Sequence, residues 1–123
     1  MNLKVNNRLK FFKSSIDKFS LGKYDLIVSN PPYIKKNDLK CLEKDIKFEP
    51  TQALDGGVDG LSELNKVIDK SAELLKTKGC LILEIGFDQK NKVKRILQKK
   101  GFYIKRVVKD SSNHDRCIVS IKL

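Results

Sequence analysis

Tryptophan is absent from the 123 residues, and methionine and histidine each occur once, as Met1 and His114. The three cysteines, Cys41, Cys80 and Cys117, are odd in number and widely spaced, with no Cys-x-x-Cys pair. With one histidine beside them there is no zinc-ligand spacing, so neither a metal site nor redox chemistry is expected. Cys80 and Cys117 fall within apolar runs, where a thiol serves as a small hydrophobe. No apolar stretch approaches the roughly 20 residues of a membrane span. Met1 to Lys13 is basic but has neither the apolar centre nor the small-residue cleavage site of a signal peptide. Repeats and low-complexity tracts are missing too. These absences predict a soluble cytoplasmic protein with no membrane partner.

Hydrophobic residues make up 40% of the chain and charged residues 33%, which suits one domain with a real core. Lysine and arginine number 26 against 15 acidic residues, a formal charge of +11. Such a field attracts polyanions. It fits nucleic-acid binding, proximity to the ribosome, or simply a lysine-rich surface.

Along the chain, Leu9–Lys13 reads as a short strand. Gly22-Lys23 then breaks the chain ahead of Tyr24–Ser29, whose apolar centre predicts a strand covered on both faces. Asn30-Pro31-Pro32 must end it, because consecutive prolines supply no N–H to a ladder. Residues 35–60 form a long irregular stretch with a short helix near Asp38–Asp45, and a loop of that length usually serves as a lid or binding segment. From Leu61 to Lys78 the positions of Leu61, Leu64, Val67, Ile68, Ala72 and Leu75 follow a helical period, with Gly79 placed to stop it. Cys80–Ile85 is a buried strand closed by Gly86. Asp88–Lys100 is a helix with Val93, Ile96 and Leu97 inward, stopped by Gly101. Phe102–Val108 and Cys117–Leu123 are strands joined by a polar turn. This order predicts an α/β parallel sheet with a C-terminal antiparallel hairpin.

Asn30-Pro31-Pro32-Tyr33 stands at the carboxyl end of a strand, where open α/β sheets bind their ligands. A planar amide or aromatic amine is a poor nucleophile, because its nitrogen lone pair is delocalised. A site can hold its NH₂ with two acceptors and aim the nitrogen at a methyl donor. The Asn30 carboxamide oxygen and the Pro31 carbonyl are suitable acceptors, and Tyr33 offers a flat face. Catalysis would come from orientation and from stabilising the developing positive charge. No base need act before transfer, in keeping with the lack of a histidine near the motif. Read without context, the same residues are equally a strand end with a proline turn.

Tyr24 to Ile34 (YDLIVSNPPYI) resembles motif IV of amino methyltransferases that use S-adenosyl-L-methionine. Within that group the chain is most similar to the HemK-type glutamine methyltransferases of peptide-chain release factors. Phe48-Glu49-Pro50, Ala53-Leu54, Gly56-Gly57 and Asp59-Gly60-Leu61 match that family's substrate loop. Gly79 with Leu83-Glu84-Ile85-Gly86 matches its next strand, and Gly101-Phe102, Lys109-Asp110 and Asp115-Arg116 match its C-terminal hairpin. The resemblance implies a Rossmann-like class I methyltransferase fold and methylation of the glutamine amide in a Gly-Gly-Gln motif. It implies that Asn30, Pro31 and Tyr33 are catalytic and that Asn30, Pro31, Pro32 and Tyr33 bind the glutamine. Asn30 and Ile16 would meet the cofactor, Ile16 packing on its adenine; Ser15 stands where the family has an acidic residue, with Asp17 two residues on. Glu49 and Asp59 are expected to shape the lid, His114 to face solvent, and Asp115-Arg116 to fix the hairpin; Glu84 carries no assignment.

The family's glycine-rich cofactor loop and ribose-holding acid have no counterpart in the 123 residues. Residues 1–123 are therefore expected to be the C-terminal portion of a methyltransferase catalytic domain, without its first strands and N-terminal helical domain. Such a chain, whether from a split gene, a truncated reading frame or a partial sequence, would be weak or inactive alone and would bind cofactor poorly; a separate N-terminal fragment is one partner it allows. It would also leave Leu9–Lys13 without a neighbouring strand and expose an apolar edge on Tyr24–Ser29. A DNA or RNA amine methyltransferase shares motif IV but not the substrate loop. A non-catalytic remnant is the third reading.

Overall fold

The computed structural model describes residues 8–31 and 61–123. Its strands are β1 (Tyr24–Ser29), β2 (Leu75–Glu84), β3 (Phe102–Lys109) and β4 (Asp115–Lys122), and its helices are α1 (Ser62–Leu74) and α2 (Lys90–Lys99). The strands form one sheet in the order β1-β2-β4-β3. β1 runs parallel to β2, while β4 is antiparallel to both β2 and β3. This is the expected α/β sheet with its C-terminal hairpin.

Alternation along the strands sends one set of side chains to the helices. Ile27 pairs with Leu81, Leu81 with Ser120, and Leu83 with Ile118, so these residues share a face. Leu64 and Ile68 of α1, and Val93 and Leu97 of α2, are fully buried in the same core. Each such side chain contributes about 1.5–3 kcal/mol relative to exposure. Ser120, also fully buried, meets its polar need by donating its hydroxyl to the Leu81 carbonyl at 3.1 Å. No helix of the described residues is long and apolar enough to cross a membrane.

Three expectations need correction. Leu9–Lys13 forms no strand; among the described residues no strand pairs with it, and Phe11 and Phe12 stand exposed. β1 is not covered on both faces. It is the exposed apolar edge also expected of Tyr24–Ser29: Ile27 packs inward, while Leu26 is 52% and Val28 65% exposed. Third, α1 ends at Leu74 rather than Lys78. Leu75 is needed in the core, and Lys122 of β4 donates its ammonium to the carbonyls of Ala72 and Leu75, the latter at 2.8 Å. A cation at this end also complements the helix dipole.

Gly79 therefore lies in β2 and stops no helix. Tyr24 is level with Leu75, but Leu26 is level with Cys80, so the residues between Leu75 and Cys80 bulge out, with Lys78 at φ 70°. A Cβ on Gly79 would meet the Lys76 carbonyl oxygen at 2.8 Å and the Asp25 carbonyl oxygen at 3.3 Å. Backbone atoms cannot give way as side-chain tips can, so only glycine lets the two strands close here. Gly79→Ala is expected to destabilise the chain by about 2 kcal/mol, read as a lower denaturant midpoint. An unchanged midpoint would show that the bulge relaxes freely.

Candidate functional site

The parallel pairing of β1 and β2 brings their carboxyl ends to one rim of the sheet. Ser29 is level with Leu83, so Asn30 leaves β1 where β2 ends at Glu84. Asn30 is exposed and Pro31 is buried. That pairing suits a motif whose proline anchors the backbone while the neighbouring amide stays free to meet a ligand. Pro32 and Tyr33 lie outside the described residues, as do Cys41, Glu49, Asp59, the short helix at Asp38–Asp45 and the rest of the substrate loop through Gly60.

The loop after β2 forms the second part of the rim. The Ile85 N–H donates to the Arg116 carbonyl at 2.8 Å. The side-chain oxygen of Gln89 accepts from the Gly86 N–H at 2.8 Å, while the Gln89 N–H donates to the Gly86 carbonyl at 3.1 Å. Gln89 is 2% exposed, so this polar side chain is a buried anchor for the loop. Sequence reading passed over it, because a glutamine at a helix start carries no periodic signal. The one clue was its place three residues after the glycine that closes a strand.

The β3–β4 turn supplies the third part. Asp110 Oδ2 accepts from Arg116 Nε at 2.8 Å, and Oδ1 accepts from the N–H groups of Ser112 and His114 at 2.9 and 3.0 Å. Arg116, then the two backbone donors, hold the Asp110 carboxyl down at about 2. Arg116 thus fixes the hairpin as expected. Asp115 reaches further, pairing with Lys90 at the start of α2 at 3.5 Å. His114 is exposed, and its ring lies 5.4 Å from that of Phe87 in the loop after β2. Glu84 is half-buried at the end of β2.

Ile16 sits apart from this rim, in a short 3-10 turn, Ile16–Lys18. It lines an apolar groove of about 900 Å³ along β1, shared with Phe12, Leu26 and Val28. Asn30 does not line that groove. Next to Ile16, the Ser15 side chain hydrogen-bonds Asp17 and holds its carboxyl below the usual range. The groove suits an apolar ring such as adenine. Its lining among the described residues includes no carboxylate for a ribose.

Among curated proteins, the release factor glutamine methyltransferase of Clostridium botulinum is 39% identical over 122 residues, covering 96% of this chain and 43% of that protein. The protein of the same name from Fusobacterium nucleatum is 44% identical over 101 residues, covering 81% of this chain and 28% of its own length. That from Buchnera aphidicola is 38% identical over 115 residues, covering 93% and 42%. The chain belongs to the release factor glutamine methyltransferase family. It spans less than half the length of these relatives. No protein-family model matches it.

Solved structures agree on the fold. TrmN from Thermus thermophilus superposes with a TM-score of 0.59 at 19% identity, over 94% of this chain and 29% of that one. The N-methyltransferase NodS from Bradyrhizobium japonicum gives 0.53 at 17% identity, over 96% and 63%. The family fold is thus the Rossmann-like class I methyltransferase fold, of which the strands described are a part.

The hairpin staple predicts a pH response. Because the Asp110 carboxyl is lowered from 3.8 to about 2, its contribution is fully present above about pH 4 and is lost as pH falls through 2. Asp110→Asn should lower the thermal midpoint at neutral pH, and the gap from the parent should close between about pH 4 and 2. Parallel midpoint-against-pH curves would contradict this.

Proposed function

We propose that residues 1–123 are the C-terminal portion of a methyltransferase catalytic domain and carry the substrate side of its site. The reaction is S-adenosyl-L-methionine-dependent methylation of the glutamine side-chain amide in the Gly-Gly-Gln motif of peptide-chain release factors. It would belong to translation termination and take place in the cytoplasm. The observation that carries this reading is the Asn30-Pro31 strand end at the rim beside β2 in a chain that aligns at about 40% identity with proteins of that name.

In this reading the glutamine NH₂ donates one hydrogen to the Asn30 carboxamide oxygen and the other to the Pro31 carbonyl. The buried Pro31 ring holds that carbonyl still, so little ordering remains to be done when substrate binds. Both acceptors face the nitrogen on which positive charge develops, and their pull strengthens as the methyl arrives. Pro32 and Tyr33, outside the described residues, are the motif's remaining substrate-binding positions in this reading. The bound cofactor supplies an electrophilic methyl group. Asn30 would adjoin it from the substrate side, and Ile16 would hold the adenine in the apolar groove along β1. The ribose and the carboxylate end need residues beyond the described ones that line that groove.

The test is transfer of labelled methyl groups by this chain combined with the remaining part of the Clostridium botulinum relative. Release factor should be labelled, while DNA and RNA should not. Asn30→Ala should cut kcat by roughly 10²–10³-fold with a smaller change in KM. Labelling of nucleic acid alone would favour an amine methyltransferase acting on DNA or RNA. No labelling by a folded combination would mark the chain as a non-catalytic remnant.

A further inference from the structure

From Lys90 to Lys109 the chain carries seven lysines and two arginines and no acidic residue. This run makes up α2 and β3, and β3 is the edge of the sheet opposite β1. Two of the nine are matched by acids elsewhere, Lys90 by Asp115 and Lys100 by Asp69. Among the described residues, Lys92, Lys94, Arg95, Lys99, Lys105 and Arg106 have no carboxylate partner.

Folding alone does not account for the arrangement. Lys90, Lys92 and Lys94 stand at the start of α2, which has no acid in its first turn, so they oppose the helix dipole. Lysines on an edge strand do discourage pairing with another chain, which explains Lys105 and Arg106 but not the helix. Nor does it explain Tyr103, an aromatic side chain left 58% exposed in the middle of the basic run. Tyr103 and Arg106 of β3, with Lys94 and Gln98 of α2, line a groove of about 560 Å³.

We propose that this groove binds single-stranded RNA. Lys94 and Arg106 meet successive phosphates, an unpaired base stacks on the Tyr103 ring, and the Gln98 amide, both donor and acceptor, hydrogen-bonds a ribose 2′-hydroxyl. Cations interleaved with an exposed aromatic suit an unpaired strand, because every base offers a flat face. An acidic peptide would use the charge but would leave the ring and the groove idle. The proposal is independent of the methyltransferase reading, since it uses the opposite edge of the sheet.

The experiment is fluorescence anisotropy of the 123-residue chain with a labelled single-stranded RNA of roughly 12 nucleotides, over on the order of 50–200 mM salt. Tyr103→Thr, which keeps strand propensity, should weaken binding about tenfold, and Tyr103→Phe should bind like the parent. The double variant Lys94→Gln/Arg106→Gln should lower the slope of log affinity against log salt by about 1.4. The double variant Lys66→Gln/Lys70→Gln on α1 removes equal charge outside the groove and should change neither quantity. The proposal is overturned if the parent binds no RNA, or if the Tyr103→Thr and Lys94→Gln/Arg106→Gln proteins, folded by circular dichroism, bind like the parent. It is also overturned if a matched DNA strand or polyglutamate binds as tightly.

Discussion

The parallel register of β1 and β2 is the constraint on which the rest of this molecule depends. It sets Ser29 beside Leu83, and so delivers Asn30-Pro31 to the rim where β2 turns into its loop. A slip of β1 by one residue would turn Ile27 out of the core and send Leu26 and Val28 into it. The register is reached through the bulge ahead of Cys80, and Gly79 permits it because its missing Cβ leaves room for two carbonyl oxygens. One glycine thus governs packing, pairing and the position of the motif.

The rim itself is held by polar contacts laid over that apolar frame. Gln89 ties down the loop after β2, and Asp110 gathers Arg116 and two backbone donors at the hairpin. These are short-range bonds at the edge of a core built mainly of leucine, isoleucine and valine together with Phe102. They give little gross stability but fix where backbone groups point, which is what a site built on orientation requires. The opposite face of β1 carries no such order. Leu26, Val28 and the apolar groove beside them stay open to solvent.

Much of the fold was legible because burial imposes a period. Leu64, Val67 and Ile68 announced one helix and Val93 and Leu97 another, and all five are buried. The alternation in β4 and the polar turn before it revealed the hairpin. What escaped sequence reading was tertiary. The helical pattern runs on past Leu74, yet Lys122, some 50 residues away, takes up the last carbonyls. Gln89 carried no signal in the sequence and proved to be an anchor. For the candidate site, the strand-end position of Asn30 and Pro31 was legible from the motif, while Ile16 was proposed only from resemblance. Its groove is apolar as an adenine site should be, but it is separate from the Asn30 rim.

The proposed function places the glutamine-binding side of a methyltransferase site on this chain. It is tested most directly by titrating the isotope-labelled chain with the release-factor domain that carries Gly-Gly-Gln, followed by nuclear magnetic resonance. The account predicts chemical-shift changes at Asn30 and in the loop from Gly86 to Gln89, abolished when the domain's glutamine is replaced by alanine. Binding that leaves those residues unmoved, or that persists unchanged without the glutamine, would contradict it.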